Sequence, residues 1–249
     1  MKSARGGPVV RAEGVAQRFG SRTIYHDVSF TVEEREVFVI LGGSGCGKST
    51  LMKQLIGLLP PSAGAIEVLG HDMVSERARV LPHIGVMFQA GALFGSMTLI
   101  ENVMLPLEIY TALSASARAS VARTKLGLVG LAEAEALLPA EISGGMAKRA
   151  GIARALALDP PLLFLDEPGA GLDPITSAGL DKLILELRAA LGVTFVVVTH
   201  ELASIMAIAD RCIMLDRGAQ GLIAEGRPDR LKAESTNPIV RAFFNREVL

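Results

Sequence analysis

The chain has little of what would place it in a membrane, outside a cell or on a nucleic acid. No apolar run in its 249 residues approaches the roughly 18 that a spanning helix needs, although half of the residues are hydrophobic. Residues 1–14 carry Lys2 and Arg5 with no apolar stretch behind them, so a secretory signal is not expected. Excess charge of either sign is missing. Lys and Arg number 25 and Asp and Glu 26, which argues against a nucleic-acid surface. There are only two cysteines, Cys46 in a glycine-rich loop and Cys212 opening an apolar run. Neither suggests a disulfide, and a reducing cytoplasm is expected. Internal repeats, low-complexity tracts, linkers and heptads are absent as well. An unusually apolar soluble chain is expected, long enough to bury a large sheet, with apolar residues to spare for a partner surface.

What is present centres on Gly42-Gly43-Ser44-Gly45-Cys46-Gly47-Lys48-Ser49-Thr50. Residues 37–41, Val-Phe-Val-Ile-Leu, precede it as a strand buried on both faces, and residues 51–56 follow with helix-forming composition. Strand, glycine loop and helix form the context in which the pattern GxxxxGK[ST] carries meaning. Glycines let the backbone wrap a polyphosphate, with N–H groups and a helix N-terminus aimed at the anion. Lys48 would reach the outer phosphates, and the Ser49 hydroxyl would ligate Mg²⁺. This is a nucleoside-triphosphate site.

In chain order, residues 9–15 and 27–33 read as strands, the second with Val28, Phe30 and Val32 on one face. After the loop and its helix, the turn signal at 60–64 leads to strands at 65–69 and 84–88. Strand signals then vanish from 91 to 159, where alanine, leucine and arginine dominate and a helical subdomain is expected. Strands resume at 162–166 and 193–199, separated by a helix whose apolar face is Ile175, Leu180, Leu183, Ile184, Leu187 and Leu191. A helix at 201–208, strands at 211–215 and 221–224, and two short helices broken at Asn237-Pro238 complete the chain. The alternation implies an α/β fold with a mostly parallel sheet and a helical insertion.

Four further stretches carry chemistry. Asp166 and Glu167 end a buried strand, at the sheet edge where ligands bind; Asp166 would hold Mg²⁺ and Glu167 would polarise the water attacking the γ-phosphate. His200, also at a strand end, could orient that water or could be a structural histidine. Gln89 ends another strand and is a candidate metal or water ligand. Ser143-Gly144-Gly145 opens a helix expected at 146–158 and would form a second anion cradle. One triphosphate does not easily need two such cradles within one protomer, whereas a head-to-tail dimer would use both.

Along nearly its whole length the chain resembles the ATP-binding subunit of ABC transporters. Residues 42–50 match the phosphate loop, Gln89 the Q-loop and Ser143-Gly144-Gly145 the signature. Asp166 and Glu167 match the Walker B pair, Gly171-Leu172-Asp173 the D-loop and His200 the switch histidine. The resemblance implies a P-loop NTPase (RecA-like) core with an antiparallel β subdomain and an inserted helical signature subdomain. The core would comprise 1–90 and 160–227, the helical part 91–159 and a C-terminal extension 228–249. ATP and Mg²⁺ would be the cofactors, and a second copy of the chain the partner. Phe19 falls where the family stacks adenine on an aromatic ring, with Tyr25 close enough in sequence to be confused with it.

The signature departs from the usual Leu-Ser-Gly-Gly-Gln, reading Ile142-Ser143-Gly144-Gly145-Met146; methionine cannot supply glutamine's amide hydrogen bonds. With residues 87–94, 97–99 and 101–107, this looks like the ATPase of lipid-transport systems, the Mla phospholipid transporters of Gram-negative bacteria and their Mce-associated relatives. It implies a peripheral place on the cytoplasmic side of the inner membrane and a permease docking between Gln89 and Pro106. Leu93, Phe94, Met97, Leu99 and Ile100 form an apolar cluster there that could equally be subdomain core. Residues 239–244 could touch the other protomer or pack on their own domain. An importer ATPase for amino acids or another small solute is the alternative. DNA-repair or translation ABC ATPases are disfavoured by the lack of coiled-coil insertions or a second cassette, and GTPases by the lack of an Asn-Lys-x-Asp signature.

Overall fold

The computed structural model describes residues 7–89 and 91–247. Residues 1–6, 248–249 and Ala90, which falls inside the expected docking segment, lie outside the described residues. The chain builds β1 (Val10–Phe19), β2 (Arg22–Val32), β3 (Val37–Gly42), α1 (Lys48–Leu55), β4 (Ala63–Val68), β5 (His71–Asp72), α2 (Arg77–Val80) and β6 (Ile84–Met87). Next come α3 (Leu99–Tyr110), α4 (Ala115–Leu128) and α5 (Gly144–Ala155). The remainder is β7 (Leu162–Asp166), α6 (Pro174–Leu191), β8 (Thr194–Val198), α7 (Leu202–Ile208), β9 (Arg211–Asp216), β10 (Gly221–Gly226), α8 (Pro228–Glu234) and α9 (Pro238–Asn245).

The strands form two sheets. Six lie in the order β10-β9-β3-β8-β7-β6, with β3, β6, β7, β8 and β9 parallel and β10 antiparallel at one edge. Four antiparallel strands, β2-β1-β4-β5, make the second sheet. Alternation along the central strands divides the interior into two cores. Val37, Val39 and Leu41 face one side with Leu163, Leu165, Phe195 and Val197, covered by helices α3 to α6. Phe38 and Ile40 face the other with Phe164, Val196 and Val198, covered by α1 and the antiparallel sheet. Both faces are dry, which is why these strands read as unbroken apolar runs.

Several boundaries differ from the sequence expectation. β1 continues four residues past Val15 because it pairs with both β2 and β4 through local irregularities that carry polar residues along the ladder. One of them, Gln17, is buried and accepts from Gln54 Nε2 at 2.7 Å, while Gln54 Oε1 accepts from the Tyr25 hydroxyl at 2.8 Å. This buried chain ties the helix after the glycine loop to the antiparallel sheet. In α6, Leu180, Leu183, Ile184 and Leu187 are buried as expected, but Ile175 is 84 % exposed. It lies five residues before Leu180, about 140° around the helix, and so faces water. Leu191 is half-exposed at the last turn, before Gly192 in the left-handed region.

Between 91 and 159 the described residues contain helices and turns but no strand. Thr98 and Glu101 cap α3 reciprocally: the Thr98 side chain accepts from the Glu101 N–H, and the Glu101 carboxylate from the Thr98 N–H. Of the apolar residues beside Gln89, Leu99 is fully buried, Leu93 and Ile100 pack partly against the core, and Phe94 is exposed. Residues 239–244 pack on their own domain, with Val240 and Phe244 buried against the helical side of the sheet. Among the described residues no helix is long and apolar enough to cross a membrane.

Candidate nucleotide site

The glycine loop leaves the end of β3, the middle of the parallel sheet, and enters α1. Gly42 sits at φ +146°, and a Cβ there would lie 2.3 Å from the Leu215 carbonyl oxygen. Gly47 caps α1 at φ +104°, where a Cβ would overlap Ile24 and the Tyr25 ring. Only glycine fits either position. Gly43, Gly45 and Ser44 are exposed, leaving the loop backbone open to a ligand. Lys48 Nζ folds back to donate to the carbonyls of Gly42 at 2.8 Å and Gly43 at 3.1 Å. Ser49 and Thr50 follow it in the first turn of α1. Cys46 contributes main chain alone, because its side chain is buried against Gly42, and burial pushes its thiol pKa up.

The other strand ends converge on one edge, as a parallel sheet requires. β7 ends at Asp166, followed by Glu167; β8 ends two residues before His200; β6 ends two residues before Gln89. Glu167 Oε1 meets His200 Nδ1 at 2.8 Å, so two residues 33 apart in sequence form one unit. Glu167 is buried, with its backbone at φ +47°, a left-handed conformation held by its N–H donating to the Val198 carbonyl at 2.7 Å. Two carboxylate oxygens, Asp166 Oδ1 and Glu167 Oε2, are buried with no partner among the described residues. Burial first, and the neighbouring Glu167 carboxylate second, raise the Asp166 pKa. Native structures rarely leave such groups unsatisfied, so a cation or water belongs beside them.

That arrangement costs stability when the site is empty. Asp166→Asn is expected to raise the melting temperature of the nucleotide-free protein by about 2–4 °C, because it removes a desolvated charge beside a second carboxylate. Calorimetry in the presence of a chelator measures it directly; an unchanged or lower value would show that the Asp166 charge is not strained.

The second cradle is the N-terminus of α5 itself. The helix starts at Gly144, two residues earlier than expected, because Ser143 caps it: its hydroxyl accepts from the Met146 N–H at 3.3 Å. Gly145 is pressed against Thr176 and Gly144 lies near Leu172, so the cradle rests on the start of α6. Among the described residues no hydrogen bond joins Ser143, Gly144 or Gly145 to the loop at 42–50. Met146 turns partly into the core, which is where an apolar side chain belongs. Phe19 ends β1 with half of its surface exposed, whereas Tyr25 is fully buried and bonded to Gln54. Of the two rings, only Phe19 is free to stack.

Lys148 and Glu201 were missed by sequence reading. Lys148 lies on the buried face of α5 at three- and four-residue spacing from Gly145 and Ile152, a periodicity that could have flagged it. It donates to the carbonyls of Gln89 and, at 3.2 Å, Glu167. Glu201 accepts from the Ser177 hydroxyl at 3.1 Å, tying the segment after His200 to α6.

The ABC transporter family model matches residues 25–170, more than half of the chain. The chain is 43 % identical over 243 residues to the probable ribonucleotide transport ATP-binding protein mkl of Mycobacterium tuberculosis, covering 96 % of this chain and 67 % of that one. It is 41 % identical over 230 residues to the intermembrane phospholipid transport system ATP-binding protein MlaF of Escherichia coli, covering 91 % and 84 %. Among solved structures it superimposes on cbiO1 from Clostridium perfringens, part of the ABC transporter complex cbiONQ, with a TM-score of 0.83 at 27 % identity over 92 % of each chain. The dimeric post-hydrolysis cassette MJ0796, bound to ADP and Pi, gives 0.78 at 30 % identity over 88 % of this chain and 98 % of that one. With a glycine loop at the centre of a parallel sheet and a paired carboxylate and histidine at its edge, the chain belongs to the ABC transporter family, as a nucleotide-binding ATPase cassette.

Proposed function

We propose that this cassette powers a transporter that moves phospholipid between bacterial membranes, working as a head-to-tail homodimer on the cytoplasmic side of the inner membrane. The observation that carries the cargo assignment is the likeness to MlaF across 84 % of that protein's length. Residues 1–90 and 160–227 act as the catalytic core, 91–159 as the helical subdomain and 228–249 as a C-terminal extension.

Each side chain has a task. The exposed ring of Phe19 stacks on adenine, and the N–H groups of residues 42–50 surround the phosphates. Lys48 exchanges its two loop carbonyls for phosphate oxygens. Ser49, Gln89 and Asp166 suit Mg²⁺: they are oxygen donors, and Asp166 presents an unpartnered buried oxygen. Bound there, the ion would offset charge building on the phosphates. Among the described residues no cluster of three His, Cys, Asp or Glu side chains forms a cage of its own, which fits an ion that arrives with the nucleotide. Glu167 holds and polarises the attacking water through its unpartnered Oε2, and His200 fixes the carboxylate through Oε1. Ser143, Gly144 and Gly145, unconnected to their own chain's loop, close on the nucleotide of the second copy.

The permease is proposed to dock on this side of the helical subdomain, near Gln89 to Pro106. A groove lined by Leu81, Ile84, Val86, Pro106, Tyr110 and Arg154 opens between β6 and helices α3 and α5, one strand's end away from Gln89. Exposed Phe94, Ile109 and Tyr110 add apolar surface along this segment. Purifying the chain with its native membrane partners and identifying bound cargo by mass spectrometry tests the assignment. Phospholipid is expected. An amino acid, a ribonucleotide or another small solute bound to the partners would overturn it in favour of a small-solute transporter, the reading that the name of mkl favours.

A further inference from the structure

Two lysines are buried among the described residues, and they are held differently. Lys125 is paired with the carboxylate of Asp159. Among the described residues Lys148 forms no ion pair; its ammonium donates instead to two main-chain carbonyls, those of Gln89 and Glu167. A buried ammonium is expensive unless it is hydrogen-bonded, so both carbonyls must stay within reach of one nitrogen. They belong to separate chain segments, one following β6 and one following β7. Those segments carry Gln89, one of the candidate ligands, and Glu167, the candidate base, which directly follows Asp166 at the end of β7.

The bond to Glu167 falls on a strained residue. Its N–H donates to the Val198 carbonyl, and its own carbonyl accepts from both Lys148 and, at 3.1 Å, the Ala170 N–H. A left-handed backbone persists in a non-glycine residue only when its surroundings over-determine it, and here both flanking peptides are pinned. Six residues further along α5, Arg154 donates to the Gly91 and Ala92 carbonyls at 2.9 and 2.7 Å, so the same helix grips the segment after Gln89 at a second point. That helix begins at the Ser143 cradle.

We propose that Lys148 is a positioning residue for hydrolysis, holding the Glu167 backbone and the Gln89 segment at a fixed separation from the signature helix. The proposal rests on the reading of Glu167 as the residue that polarises water. A movement of α5 when its N-terminus engages a second copy's nucleotide is thereby passed directly to the base of its own site. Lys148 itself touches no substrate, so its loss should slow chemistry and spare binding.

Turnover and nucleotide affinity of Lys148→Met, Lys148→Arg, Glu167→Gln and the double variant Lys148→Met/Glu167→Gln test this. Lys148→Met is expected to lower kcat about tenfold to a hundredfold while KM and the Kd of a fluorescent ATP analogue stay within about threefold. Lys148→Arg, which keeps the donors, should recover most of that loss. In the Glu167→Gln background the same methionine substitution should change the residual rate less than about twofold, because the two act through one step. A Lys148→Met protein with undiminished kcat, or an equal fractional loss in both backgrounds, would overturn the proposal. Full turnover in Glu167→Gln alone would instead overturn the assignment of the base. Lys148→Gln supplies the same comparison if the methionine variant does not fold.

Discussion

Glu167→Gln is expected to bind ATP as the unaltered protein does and to lose about 10²- to 10⁴-fold in turnover. The amide has the carboxylate's shape, so it keeps a contact to His200 Nδ1, where the carboxylate now sits at 2.8 Å. What it lacks is basicity at the second oxygen. Oε2 is buried with no partner among the described residues, in a site where Asp166 Oδ1 is equally unpartnered. A water bridging toward the γ-phosphate would complete Oε2, and an amide there is too weak a base to draw the proton from that water's O–H. Phosphate release against time, alongside titration with a fluorescent nucleotide, separates the two effects. Undiminished turnover would remove Glu167 from the base role.

Lys48→Ala is expected to act earlier, on binding. The ammonium is already stationed over the loop, on the carbonyls of Gly42 and Gly43. Phosphate oxygens offer it full negative charge in place of carbonyl dipoles, and hydrogen bonds to charged groups contribute about 1.5–3 kcal/mol each. Losing one such interaction corresponds to affinity weaker by about one to two orders of magnitude. Loop geometry should survive, since it is set by Gly42 and Gly47 at positions only glycine can occupy. Isothermal titration with ATP and a thermal melt of the same sample give both numbers. Normal affinity would count against the phosphate-loop reading, and a collapsed melt would show that Lys48 holds the loop together.

The parallel sheet was readable because its strands are dry on both faces. Residues 37–41, 162–165 and 195–198 appear as unbroken apolar runs, and the structure places β3, β8 and β7 there side by side. Once those runs are strands of one parallel sheet, the residues just beyond them share an edge, which brought Gln89, Asp166, Glu167 and His200 together from sequence alone. The antiparallel sheet was less legible. Strand β1 carries Gln17 and Arg18 because pairing with β2, which runs on to Phe19 opposite Arg22, and not apolar alternation, decides where it ends. Ile175 misled because composition marks a face while helix phase decides it. Long-range partnerships left the least trace. The Glu167–His200 contact, the left-handed backbone at Glu167 and the grip of Lys148 on two carbonyls each join segments distant in sequence. Residues 239–244 were ambiguous for the same reason: two phenylalanines demand burial but do not name the surface that buries them.

In the proposed dimer one chain holds half a site, with its phosphate loop completed by the other chain's Ser143, Gly144 and Gly145. The most direct test is the molar mass of the Glu167→Gln protein by light scattering, without nucleotide and at saturating ATP and Mg²⁺. From a chain of 26.2 kDa, a shift to twice that mass is expected on adding ATP, reversed when ATP is exchanged for ADP. A protein that stays at 26.2 kDa with ATP demonstrably bound would contradict it.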